Sequence, residues 1–135
     1  MLPGIFVLLF WASATRAQET ENRLAPAEQR RIIAVLLNEK FTDAPEKTIY
    51  ITTANIAPEV QKNFQPLKNK MIRFVSRDAA TRGELCAYEF GEFQVIDKFV
   101  SVTFGNCREG LAYDFIKDGA EWKGVSSTVI REMLY

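Results

Sequence analysis

Not one of the 135 residues is a histidine. That removes the commonest general base, the usual partner of a serine or cysteine nucleophile, and the most frequent metal ligand. Cysteine is nearly as scarce, with two in the chain, Cys86 and Cys107. An ordinary structural zinc site takes about four ligands, so this pair without histidine does not supply one. Neither sign of charge prevails, since 17 basic residues face 17 acidic ones. No overall basic field therefore draws the chain to nucleic acid or anionic lipid. Phosphate loop, dinucleotide fingerprint, N-x-[ST] sequon, internal repeat and low-complexity tract are all missing. No cofactor, metal or nucleic-acid partner is expected.

What remains is an ordinary globular composition, 47% hydrophobic and 25% charged, which argues against disorder. The start, MLPGIFVLLFWASATRAQ, carries an apolar run from Ile5 to Trp11 followed by small residues, the pattern of a secretory leader. The run falls well short of the roughly 20 apolar residues a membrane-spanning helix needs, so no stable membrane insertion is expected after cleavage. It lacks a basic residue ahead of it, and no cysteine follows it to carry a bacterial lipoprotein anchor. The expectation is a signal peptide over 1–17, one domain over 18–135, and a secreted or periplasmic location.

Within that domain, Pro26 to Lys40 reads as a helix, with Pro26 at its first position and Ile32, Ile33, Leu36 and Leu37 on one stripe. TIYITT over 48–53 alternates as a strand, Ile49 and Ile51 sharing a face. Asn55 to Leu67 predicts a second, shorter helix, with Pro58 near its start and Pro66 as its stop. Met71 to Arg77 is a strand candidate, and Ala79 to Gly83 a turn or loop. From Leu85 the chain reads as an antiparallel meander. Val100, Val102 and Phe104 alternate with polar residues, as do Leu111, Tyr113 and Phe115. Asp118-Gly119 sits between alternating flanks, a strong hairpin signal, and the returning strand runs from Glu121 to about Val129, with REMLY adding a last turn or strand end. The fold class is α+β, an N-terminal helix packed on a curved antiparallel sheet, with a second short helix.

Folding the stretch from Cys86 to Cys107 on itself tests what its cysteines do. A turn near Ile96-Asp97 places Phe93 opposite Val100, and an extra residue at Gly91 or Glu92 brings the aromatics behind it into step. Phe90 then faces Val102, Tyr88 faces Phe104, and Cys86 lands opposite Asn106, beside Cys107. A redox pair would more often be C-x-x-C at a helix start. Here the spacing is wide and the setting is strand, so the reading is a disulfide staple, worth roughly 3 kcal/mol for a loop of about 20 residues.

Other features weigh less toward chemistry. Lys62, Lys68, Lys70, Arg73 and Arg77 lie in a stretch without an acidic residue, a candidate patch for an anionic partner. The alternative is a solvated face balanced by Glu84, Glu89, Glu92 and Asp97. Tyr113, Phe115 and Trp122, with Phe104, could line a ligand pocket or simply form the core of a helix-on-sheet domain. Asp114 faces outward, Asp118 belongs to the turn, and Ser126-Ser127-Thr128 has no histidine to activate it, so no catalytic residue is assigned.

The order helix, strand, short helix, meander resembles the cystatin-like and nuclear-transport-factor-like α+β superfamily. The ending LAYDFIKDGAEWKGVS, a strand, an Asp-Gly turn and a Trp-Lys pair leading into the last strand, resembles it too. The resemblance implies a sheet wrapped around a long helix, often leaving a conical pocket, in proteins that include enzymes, ligand binders and dimerising modules. The histidines of its enzymatic members have no counterpart here. The leading expectation is a small exported, non-enzymatic domain that binds a protein partner or a small ligand. The alternatives are a pocket-bearing enzyme or small-molecule carrier, and a secreted inhibitor or immunity-type protein. An exposed strand edge leaves pairing into a homodimer open.

Overall fold

The computed structural model describes residues 24–132, and side chains as far as Thr128. The expected leader over 1–17 and the last residues of the REMLY tail lie outside the described residues. The first element, α1 (Pro26–Phe41), forms where Pro26 opens the helix and the aliphatic stripe supplies its buried face. Ile32, Ile33, Leu36, Leu37 and Phe41 are all buried, which matches the predicted stripe and extends it by a turn.

The second predicted helix shrinks to one turn, α2 (Pro58–Gln61). Asn55 and Asn63 take left-handed backbone, at φ 63° and 50°, and interrupt the helical run at both ends. The carbonyls that a longer helix would have used are instead taken by α1. The Arg30 guanidinium donates to Val60, Lys62 and Asn63 at 3.4, 3.1 and 3.1 Å. Gln29, one residue earlier, is buried and satisfied on both sides. Its amide donates to the Asn55 carbonyl at 2.8 Å and accepts from the Ala57 N–H at 2.9 Å.

The strands β1 (Thr48–Thr52) and β2 (Met71–Val75) pair in parallel, Ile49 beside Ile72 and Ile51 beside Phe74. This parallel pair was not foreseen, and β2 stops at Val75 because Ser76 begins a further helix. That helix, α3 (Arg77–Arg82), replaces the expected turn. The Ser76 hydroxyl accepts from the Ala79 N–H at 3.0 Å, a cap that the sequence reading passed over.

The antiparallel meander comprises β3 (Glu89–Phe90), β4 (Gln94–Ile96), β5 (Phe99–Gly105), β6 (Glu109–Asp118) and β7 (Glu121–Glu132). β3 and β4 share one edge of β5, and β6 and β7 follow on the other side. Between β3 and β4 the chain has one residue more than β5 opposite it, the bulge expected at Gly91 or Glu92. Its turn falls one residue later than expected, with Asp97 at φ 54°. Val95, not Phe93, therefore faces Val100, and Phe90 faces Phe104, not Val102. The slip is two residues, an even number, so every side chain keeps its predicted face. Tyr88 joins the two sheets, bonding Tyr50 and Thr52 of β1 at 2.8 Å each.

α1 lies across the inner face of β6 and β7, pinned at both ends. Near its start the Glu28 carboxylate accepts from the Trp122 indole N–H and from Lys117 Nζ, the latter at 3.0 Å. Near its end Lys40 Nζ donates to Glu109 at 2.6 Å. Phe41, Tyr88, Phe90 and Phe104 interlock between them, with ring centroids 4.4–6.3 Å apart.

Candidate functional site

The predicted pocket residues fill the core. Tyr113 and Phe115 stack at 6.4 Å beneath α1, and burial pushes the Tyr113 hydroxyl up to about 12. They line none of four surface clefts formed by the described residues. Trp122 is buried too, bordering a cleft formed with Leu24, Val95 and Lys98.

The five basic residues are divided among different tasks. Lys70 Nζ donates to the Ala44 and Glu46 carbonyls at 2.5 and 2.6 Å, clamping the loop before β1. Arg77 makes two bonds of 2.9 Å to the Glu89 carboxylate, the neutralisation that the solvated-face alternative anticipated for Glu89. Lys62, Lys68 and Arg73 are exposed.

The disulfide forms as expected. Cys86 and Cys107 are bonded with Cα atoms 5.4 Å apart, joining the segment after α3 to the turn between β5 and β6. Beside it, α3 and the outward side of β3 and β5 enclose a cleft of about 450 Å³. Thr52, Arg77, Ala80, Leu85, Glu89 and Thr103 are among its walls. Arg77, and after it the Thr52 hydroxyl, hold the Glu89 carboxyl below its ordinary range.

A second surface was missed by the sequence reading. The register sets Ile96 beside Phe99, Phe99 beside Ile116, and Ile116 beside Lys123, all on the face turned away from α1. Ile96 is 68% exposed, Phe99 37%, Ile116 46%, and Val125, at the β6–β7 bulge, 58%. These residues make an apolar strip across four strands. Four of the polar side chains around it engage one another. Lys123 pairs with Asp118 at 2.9 Å, holding that carboxyl below its usual range, and the Ser126 hydroxyl donates to Asp114 at 2.8 Å. The signal was present as apolar doublets, Val95-Ile96, Phe99-Val100 and Phe115-Ile116. A strand doublet sends one residue to each face, so three paired doublets leave three apolar side chains outside.

No protein-family model matches this chain, and neither the curated proteins nor the solved structures contain a match. Among the described residues, no helix is long and apolar enough to cross a membrane. The chemistry therefore rests on the surfaces themselves.

Proposed function

We propose that this chain is a small exported, non-enzymatic binding module that engages a protein partner through the outward face of its meander. The observation that carries the reading is the strip of Ile96, Phe99, Ile116 and Val125. Large contiguous apolar patches are rare on the surfaces of monomeric proteins, and those present mark interaction sites. Lys123 with Asp118, and Ser126 with Asp114, are paired beside the strip, so docking a largely apolar partner surface leaves those groups their partners. The disulfide and the apolar leader support the exported location.

A photo-cross-linking residue in place of Ile116, in the chain's own host, tests this. The expected result is a discrete adduct that disappears when Phe99→Asp is added and that does not form from Glu59, which lies on α2. Equal adducts from both positions, or none from Ile116, would refute the reading. An adduct between two copies would make the partner a second chain.

The cleft beside α3 supports a second reading, a carrier of a small molecule, because Ala80 and Leu85 give its volume of about 450 Å³ apolar walls next to the Arg77–Glu89 pair. An extra small mass retained by the purified protein in native mass spectrometry would favour the carrier.

A further inference from the structure

The segment from Arg77 to Cys86 has one buried side chain, Ala80; the other nine residues are exposed. Its backbone bonds are largely its own, Gly83 N–H to the Ala79 carbonyl and Leu85 N–H to the Ala80 carbonyl, at 3.0 and 2.9 Å. Glu84 is held in left-handed backbone, at φ 51°, a conformation disfavoured for a side chain of that kind. What ties this segment to the sheet is the Arg77–Glu89 pair, whose arginine side chain is 68% exposed, and the bond from Cys86 to Cys107. Yet Arg77, Ala80, Thr81 and Leu85 form a wall of the cleft beside α3. A wall with so little buried surface depends on its covalent tie.

The two sulfurs are not equivalent. Both cysteines are exposed, but the Cys107 backbone N–H donates to Cys86 Sγ at 3.2 Å. That donor stabilises negative charge on the Cys86 sulfur and offers nothing to the Cys107 sulfur. Arg108, also exposed, follows Cys107 in sequence. It lines the cleft that Cys86 shares with Glu46 and Glu109, and Lys40 pairs with Glu109, so the hydrogen bond rather than the nearby charges sets the two sulfurs apart.

We infer that the Cys86–Cys107 bond is an exchangeable clasp, opened by a small aliphatic thiol through Cys107, and that its opening frees α3 from the cleft. The incoming thiolate attacks the Cys107 Sγ and forms a mixed disulfide there as the Sγ–Sγ bond breaks. The electron pair leaves on Cys86 Sγ, where the Cys107 N–H receives it until solvent supplies a proton. A second thiolate attacks the small-molecule sulfur of the mixed disulfide and releases Cys107 as a thiolate. Two small thiols are thereby oxidised to one disulfide, and the protein disulfide is reduced to two thiols. The inference does not rest on the partner-binding reading, because the strip of Ile96, Phe99, Ile116 and Val125 shares no residue with the walls of the cleft beside α3.

The test exposes the folded, oxidised chain to reduced glutathione for short times, quenches with acid, alkylates, and maps the peptides. Glutathione is expected on Cys107 with the alkyl label on Cys86, in at least about threefold excess over the reverse. Hydrogen exchange on the fully reduced chain is expected to speed up over 77–87 while α1 and the β5–β6 pair keep their protection. An even or reversed distribution of glutathione overturns the inference. So does a bond that resists thiol without denaturant, loss of protection throughout the chain on reduction, or no change over 77–87.

Discussion

Replacing Glu28 by alanine removes the group that pins the start of α1 to the sheet, and the structure sets the size of the loss. Trp122 is 7% exposed, and its indole N–H finds its acceptor in the Glu28 carboxylate. Leaving a largely buried donor without a partner costs about 1–3 kcal/mol. The Lys117 ion pair is partly exposed, with side chains 30% and 23% accessible, so it adds only about 0.5 kcal/mol. Loss of an acid from the first turn of α1 adds a few tenths. Glu28→Ala should therefore cost about 2–4 kcal/mol at neutral pH, lowering the urea midpoint by roughly 1–3 M for a domain of this size. The pH dependence is a stricter check. The indole bond, then Lys117, lower the Glu28 pKa in the folded state. A carboxyl with a lowered folded pKa contributes stability that is complete above its unfolded value and vanishes as pH falls through the folded one. The gap between wild type and variant should narrow on acidification below pH 4.5, the ordinary value for this group. Urea unfolding followed by tryptophan fluorescence across that range measures it. A neutral-pH loss under about 0.5 kcal/mol, or a gap that stays constant into acid, would refute the reasoning.

Two further substitutions probe the core and the bulge. Phe115→Ala should cost about 3–5 kcal/mol, because the ring is fully buried between α1 and β6; chemical denaturation reads this, and a loss below 1.5 kcal/mol would place the ring outside the core. Gly91→Ala would bring a Cβ within 2.1 Å of the Thr103 hydroxyl oxygen, so it should destabilise by about 1–2 kcal/mol. Thr103→Ala in the same chain should recover most of that loss, and a double variant no better than the single one would show that the contact is not the cause.

Which residues point inward was legible in the sequence, because strand and helix periodicity is local. The stripe of α1, the alternation of β5 and β6, and the Asp-Gly turn, where Gly119 takes φ 64°, each follow from a few neighbouring residues. The disulfide followed from folding one hairpin on itself. What local pattern does not carry is the choice among remote partners. Residues 55–67 have the composition of a helix, but only the packed structure brings the Arg30 guanidinium to the carbonyls of Val60 and its neighbours. Parallel pairing of β1 with β2 depends on a connection through α2 that leaves no periodic trace. Tyr113 and Phe115 have the same alternation whether they line a cavity or fill one, and the position of α1 decides it. The outward strip needed both kinds of information: apolar doublets in the sequence, and the register that sets them side by side. One chain segment can specify which of its faces is apolar, whereas its neighbours in space determine whether that face is covered.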